Sequence, residues 1–324
     1  MKVGYLCTFT PKELIHSAGF LPYRVFATDR PISLASAYIQ SYSCSQARGA
    51  LECALHEDFY AFVFTRCCDT LMRLTDIFEF AGKRVYNIEF PTKVGNVEYY
   101  VRELRDFVKA LEEWGGEVTY ERVIESLRLY RELEKKLKRL FEFSPDYKTA
   151  IEVQQIDVRD AIKLVDEKIK SAKEEKEKPK VLITGSVCPY PKVYEIFREA
   201  GFSVKDDLCT GSRFFEYSYP DFEPEDLDSA LRFIAEKYLR KSPCPTKHYE
   251  NDGRFEYVLK LAKDCDAVVF LLVKFCDPHF FDYPQLRERL EGIGKKVALI
   301  ELEFPVVSLE QIRTRVEALR EVIE

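Results

Sequence analysis

The sequence predicts an α/β protein with two Rossmann-like, doubly wound parallel-sheet domains related by internal duplication and a helical segment between them. Three observations lead there. Short β-branched and aromatic runs alternate with amphipathic stretches at both ends of the chain, the pattern of strand–helix–strand units in a parallel sheet. The middle instead carries apolar residues at helical spacing. The two alternating segments also repeat one another's landmarks in the same order. The expected boundaries are 1–96, 97–179 and 180–324.

In the first segment Lys2–Leu6, Tyr23–Ala27, Tyr60–Thr65 and Arg84–Phe90 read as strands, being short runs rich in Val, Phe, Tyr or Ile. Pro11–Ala18, Gln46–Glu57 and Thr70–Ala81 read as helices; the first opens on Pro and stops at Gly19. In the middle, Val123, Leu127, Tyr130, Leu133, Leu137 and Leu140 form one apolar stripe, and Val158, Ile162, Val165 and Ile169 a second. They predict two or three long helices, arranged as a hairpin. The charged run from Lys173 to Pro179 is expected to be a solvated helix end and linker. From Lys180 strands are expected at Val181–Gly185, Val204–Leu208, Ala267–Val273 and Val297–Glu303. Helices are expected at Lys192–Ala200, Pro224–Arg240, Gly253–Lys263, Pro284–Glu291 and Leu309–Ile323.

Composition bounds the function. With 24 Phe and 19 Tyr in 324 residues there is material for real cores, so bulk disorder is excluded. The longest apolar run, Ala267–Val273, is seven residues, far short of the roughly 20 needed to span a membrane. The N-terminus enters a strand-like pattern with no secretory signal, so a cytoplasmic location is expected. A net charge of −6 argues against nucleic acid as the main partner.

Ten cysteines are the salient feature. Scarce Met, Asn and Gln beside abundant Lys and Glu resemble a thermophile's composition, in which intracellular disulfides occur; otherwise metal or redox chemistry is the usual use. The duplication passes through them. Cys7–Phe20 and Cys188–Phe202 each follow a first strand and open a helix that ends in Ala-Gly-Phe. Cys44 to Arg48 matches Cys209 to Arg213, and Tyr60–Asp69 matches Ala267–Asp277, so Cys68 corresponds to Cys276. Both halves run on to Phe-Pro, at Phe90-Pro91 and Phe304-Pro305. In an open parallel sheet ligands collect beyond the carboxyl ends of the strands, where Cys7, Cys68, Cys188 and Cys276 are expected, with Cys44 and Cys209 in neighbouring loops. Two facing domains would direct all six thiols into one cleft. Cys53, Cys67, Cys244 and Cys265 have no matched partner; Cys53 and Cys265 suit a role as small buried hydrophobes.

No close Cys-x2-Cys pair suggests structural zinc, and contiguous ferredoxin spacing is absent. Dispersed thiols at strand ends suit an iron–sulfur cluster in a cleft, with inert thiols as the alternative. Together with Gly4, Cys7, Pro11, Glu13, Leu14, Ile15, Ala18, Gly19 and Pro22, the groups Cys44, Cys68-Asp69, Asp207 to Arg213 and Lys274 to Pro278 resemble the 2-hydroxyacyl-CoA dehydratase family. That family includes 2-hydroxyglutaryl-CoA dehydratase subunits, benzoyl-CoA reductase subunits and double-cubane cluster proteins, and the resemblance covers nearly the whole chain.

The resemblance implies a [4Fe-4S] cluster held between domains by Cys44, Cys68 and Cys276. In dehydratases an open iron receives the substrate's thioester carbonyl. A separate ATP-hydrolysing activator, itself an iron–sulfur protein, injects one electron to make a ketyl radical that expels the hydroxyl. The implied partners are that activator, a second copy or a related subunit in a dimer, and a small-molecule substrate, with acyl-CoA as the candidate. Cys7, Cys188 and Cys209 form a second triplet that would suit the double-cubane branch, with an [8Fe-9S] cluster and reductase chemistry. A carrier subunit that only passes electrons and a small-molecule binding protein with inert cysteines are the competing readings.

Arg48 and Arg213, each four residues after a cysteine, would offset cluster charge or form ion pairs. Asp69 and Asp277 are expected to cap the following helices. Of the four His, His279 is the one expected near the cluster. Gly292 to Lys296 does not satisfy the Gly-x4-Gly-Lys-Ser/Thr pattern, so ATP hydrolysis is assigned to another protein. Cys67, whose counterpart is Phe275, is expected to be dispensable.

Overall fold

The computed structural model describes residues 1–27, 29–93, 95–172, 178–306 and 308–323, with Asn251 described by its backbone alone. The charged run expected to form a linker falls largely on 173–177, outside the described residues. Four strands, β1 (Lys2–Tyr5), β2 (Leu21–Arg24), β3 (Ala61–Thr65) and β4 (Val85–Ile88), form a sheet in the order β2-β1-β3-β4. A second sheet, of β5 (Lys180–Gly185), β6 (Ser203–Asp207), β7 (Ala267–Val273) and β8 (Lys296–Leu302), has the order β6-β5-β7-β8. Every pairing is parallel. The two orders are the same, so the duplication read from the cysteines is also one of topology. The central strands β3 and β7 are buried along their whole length, which is why they read as continuous apolar runs rather than alternating ones. Gly185 ends β5 at φ 148°, and a Cβ there would stand 2.1 Å from the Leu271 carbonyl oxygen; only glycine fits.

Strand β2 begins two residues earlier than the apolar run suggests. Pro22 has no N–H to donate, but β2 is an edge strand, where proline is tolerated. In the first half α1 (Lys12–Ser17), α2 (Ser45–His56) and α3 (Asp69–Phe80) connect the strands. Among the described residues the middle carries three long helices, within the expected two or three: α4 (Val97–Glu113), α5 (Tyr120–Phe143) and α7 (Val158–Ser171), with a short α6 (Tyr147–Glu152) between the last two. The expected hairpin is α5 with α7, joined through Leu133, Leu137, Val158, Ala161 and Val165. Helix α4 does not join it. Its Tyr100, Leu104, Phe107 and Leu111 pack on the first sheet's core.

The second half carries α8 (Pro191–Glu199), α9 (Ser212–Phe215), α10 (Leu227–Leu239), α11 (Gly253–Ala262), α12 (Asp277–Gly292) and α13 (Glu310–Ile323). Helix α10 starts at Leu227 because Asp226 and Ser229 form a capping box. Helix α12 starts at Asp277 instead of Pro284, since Pro278 at a helix's first turn needs no N–H partner. Although it follows β6 in the chain, α10 buries Leu231, Ile234, Ala235 and Tyr238 in the core of α4 and the first sheet.

Where α1, α5 and α10 meet, four charged side chains are sealed from solvent. Lys237 Nζ lies 2.8 Å from Glu13 and 2.9 Å from Glu134; Lys12 Nζ lies 3.1 Å from Glu134 and 3.3 Å from Glu13. The Tyr238 hydroxyl donates to Glu13 at 2.7 Å, and the Tyr219 hydroxyl donates to Glu134. Burial alone would raise the Glu13 pKa, but Lys12 and Lys237 outweigh it and hold the carboxyl well below the usual range. Two cations and two anions balance, which is what lets them be buried. Glu134→Ala leaves two buried lysines facing the single carboxylate of Glu13 and is expected to cost about 3–5 kcal/mol in denaturant unfolding. Glu125→Ala removes an exposed pair with Arg159 and is expected to cost about 0.5 kcal/mol or less.

Candidate functional site

Helices α4, α5, α6, α7 and α10 are capped by oxygen. Asn96, Thr119, Asp146, Asp157 and Asp226 each accept a hydrogen bond from a first-turn amide. Helices α1, α8, α9 and α11 have no side-chain cap, and three further helices start on cysteine. The N-cap residue of α2 is Cys44, that of α3 is Cys68 and that of α12 is Cys276. Cysteine is not among the preferred caps, so first-turn amides face sulfur instead of oxygen. Asp69 and Asp277, expected as caps, are the first residues inside their helices.

These three thiols come from both halves and act on one another electrostatically. Burial pushes Cys44 up to about 11, with the amides of Ala47 and Gln46 pulling the other way. Burial, then Cys44 and Cys68, raise Cys276 well above the usual thiol range, against the amide of His279. The Cys67 thiol lowers Cys68, helped by the amides of Leu71 and Thr70. Cys44 and Cys276 are thus raised by burial and neighbouring thiols, while Cys68 is lowered by Cys67; each receives first-turn amides, which favour the thiolate form. Among the described residues no three His, Cys, Asp or Glu side chains are drawn tightly enough for a single ion; a cubane spreads its terminal thiolates over separate irons.

The halves are clamped at this point. The Ser45 amide donates to the Lys274 carbonyl at 3.4 Å, joining the residue after Cys44 to the turn before Cys276. Arg48 reaches Glu303 at 3.1 Å, and Lys274 reaches the same carboxylate at 2.9 Å. Arg48 therefore serves as a tie between halves. Phe275 carries φ 65°, a left-handed conformation that is rare for a bulky residue and turns the chain into Cys276.

In the second expected triplet, Cys188 differs from Cys7 and Cys209 in its burial. Cys188 is fully buried, with its sulfur 3.9 Å from the Tyr190 carbonyl and its amide donating to Thr210. Burial pushes it up to about 12, and no thiol is among the groups acting on it. Two cysteines without matched counterparts stand closer to the others. Cys67 donates its thiol to Cys7 across 3.3 Å and also acts on Cys68. With the Cys67 thiol as donor, Cys7 falls to about 6 despite burial. Cys244 acts electrostatically with Cys209 and with Cys276. Cys7, Cys67, Cys68, Cys44, Cys276, Cys244 and Cys209 thus form one coupled series. Cys67 was missed because strand-end matching discards unpaired thiols, and adjacency to Cys68 was the available signal. Nothing in the local sequence around Cys244 marks it.

Arg213 lies 3.9 Å from the Cys209 sulfur and grips Asp207 through two hydrogen bonds of 2.6 Å. Arg254 donates to the same carboxylate at 2.7 Å. Arg213 is therefore an ion-pair partner and a neighbour of sulfur together. His279 is buried in the first turn of α12, and burial, then Arg213 and Arg254, push its pKa well down.

Two parallel-sheet halves thus meet where cysteines from both occupy helix N-cap positions. Comparison supplies the family. The family described as 2-hydroxyglutaryl-CoA dehydratase, D-component, matches residues 7–323, and the chain belongs to it. The chain is 25% identical to the (R)-phenyllactyl-CoA dehydratase beta subunit of Clostridium sporogenes, over 99% of this chain and 91% of that one. It is 26% identical to the lactoyl-CoA dehydratase beta subunit of Anaerotignum propionicum, with the same coverage. It is 23% identical to a benzoyl-CoA reductase subunit of Thauera aromatica, over 93% and 85% of the two chains. Among the described residues no helix is long and apolar enough to cross a membrane.

Burial would raise Asp207, but Arg213 and Arg254 outweigh it and hold the carboxyl at about 2, below the ordinary 3.8. A depressed acid contributes stability above its unfolded pKa and loses it as pH falls through the folded one. Asp207→Asn is expected to destabilise the protein near neutral pH. About 2 kcal/mol of its deficit should vanish between pH ~4 and ~2, measured by denaturant unfolding across that range.

Proposed function

We propose that the chain is an iron–sulfur subunit of a system that dehydrates or reduces small acyl-CoA substrates, with a [4Fe-4S] cluster held by Cys44, Cys68 and Cys276. The observation carrying this is that Cys44, Cys68 and Cys276 occupy the N-cap positions of α2, α3 and α12, from both halves of the molecule, with the Ser45 amide on the Lys274 carbonyl joining the first to the last. When bound, such a cluster supplies single low-potential electrons and, with three protein ligands, an open iron position. The chain's own residues do the positioning. The amides at the three helix N-termini offset thiolate charge. The Arg48–Glu303–Lys274 tie keeps Cys44 and Cys276 in register across the cleft. Arg213, fixed by Asp207, presents a guanidinium to Cys209.

The relatives named as dehydratase beta subunits and a reductase subunit support a related subunit as partner, and the absence of a phosphate-binding loop pattern in the sequence supports an external ATP-hydrolysing activator. Whether the protein works as lyase or reductase follows from its substrate. A double-cubane [8Fe-9S] cluster is the second reading, with Cys7, Cys188 and Cys209 as the second triplet; the Cys209 amide on the Ser186 carbonyl and the Cys188 amide on Thr210 support it by holding the Cys188 and Cys209 loops together.

Anaerobic purification with iron and sulfide analysis tests the reading. About four irons per chain are expected for one cubane and about eight for two. Cys44→Ser, Cys68→Ser and Cys276→Ser should each strip iron or alter the electron paramagnetic resonance spectrum, while Cys188→Ser should leave both unchanged. Full iron and an unchanged spectrum in all three site variants would overturn the assignment.

A further inference from the structure

The two halves differ at one place where their topology matches. Cys7 leaves β1 and Cys188 leaves the equivalent β5. Opposite Cys7, at the exit of β3, stands Cys67; the corresponding residue at the exit of β7 is Phe275. The first half therefore holds two thiols where the second holds a thiol and a phenyl ring. Strands β1 and β3 are hydrogen-bonded neighbours, with Tyr5 in register with Val63, so the exits are brought side by side. The Thr10 and Thr65 hydroxyls, 2.8 Å apart, fasten the loop after β1 to the end of β3. The Cys67 amide donates to the Thr65 carbonyl at 2.8 Å, which curls the chain back toward Cys7. The sulfurs end 3.3 Å apart, with the Cys67 thiol donating to Cys7, whose sulfur also accepts from the Phe9 amide at 3.5 Å. Both residues are partly exposed.

We propose that Cys7 and Cys67 are a redox-active dithiol that closes to a disulfide in the cluster-free chain, with a low-molecular-weight disulfide as oxidant. Cys7, the sulfur that accepts two hydrogen bonds, attacks one sulfur of the oxidant RSSR as thiolate. A mixed disulfide forms and one RS⁻ leaves. Cys67 then gives its proton to a departing thiolate and attacks the Cys7 sulfur, expelling the second RS⁻. Overall two protein thiols and RSSR become one protein disulfide and two RSH. The sulfurs need to approach by only about 1.2 Å to reach a bond of about 2.05 Å.

The consequence rests on the cluster reading above. Cys68 is the next residue after Cys67 and the N-cap of α3. Pulling Cys67 onto Cys7 draws Cys68 away from Cys44 and Cys276, so the oxidised chain lacks one of the three thiols that receive the cluster. The pair acts as a guard that keeps an oxidised, empty chain from loading.

The test uses the cluster-free full chain. After anaerobic incubation with glutathione disulfide, free thiols are expected to fall by two from the ten present, and peptide mapping should find Cys7 joined to Cys67. Cys7→Ser and Cys67→Ser should each abolish that linkage. A Cys67–Cys68 linkage, or no lost thiols, overturns the proposal. Reconstitution with ferrous iron and sulfide provides the second arm. The oxidised chain should take up roughly tenfold less iron than the reduced one, and a dithiol should restore uptake. Equal uptake by both forms would overturn the guard. If the reduced chain itself takes up no iron, the cluster reading fails, while the peptide map still decides the dithiol.

Discussion

Two carboxylates, Glu13 and Glu134, can leave water in this protein only between Lys12 and Lys237. The four groups come from α1, α5 and α10, which belong to the first sheet's connections, the middle segment and the second half. Helix α1 brings Lys12 and Glu13 already paired, but Glu134 of α5 and Lys237 of α10 would each be buried unpaired without the other, at a cost of several kcal/mol per ion. Together the four groups cancel. This ties the middle helices and α10 onto the first half, and so determines which face of α10 joins the core of Phe107 and Leu111. The position of the second sheet against the first depends on that contact.

The thiol site inherits its geometry from this assembly. Its members lie at the carboxyl ends of strands in both sheets, and no single half contains all of Cys44, Cys68 and Cys276. A parallel sheet aims successive helix N-termini toward one edge. Two sheets of the same order, held together by the buried charges and by the Arg48–Glu303 tie, therefore aim helix starts from both halves at one cleft. At three of these starts cysteine stands in place of the usual oxygen cap. The same economy explains Asp207, which neutralises Arg213 and Arg254 while leaving the Arg213 guanidinium beside Cys209.

Much of this was legible from residue order. The strands β3 and β7 announced themselves through unbroken apolar runs, and the shared sheet order follows from the matched cysteine landmarks. Strand ends and neighbouring loops singled out six thiols, and the family resemblance narrowed them to Cys44, Cys68 and Cys276. The extent of the middle segment was less legible. Helix α4 has the same amphipathic period as α5 and α7, and period does not say whether its apolar stripe meets a neighbouring helix or a sheet. The burial of Cys188 was not legible for a related reason: matching by topology places a residue at a strand end but does not orient its side chain, and here the sulfur lies beside the Tyr190 carbonyl.

The parallel α/β class, its repetition and the thiols at strand ends are written in residue order, because they depend on periods and spacings within about thirty residues. Which thiols share a neighbourhood was left to tertiary packing. Cys67 meets Cys7 across sixty residues of chain, and Cys244 reaches Cys209 and Cys276 only after α10 has crossed to the first half. Contacts of that kind depend on how buried charge and apolar faces are satisfied over the whole molecule. No local pattern records them.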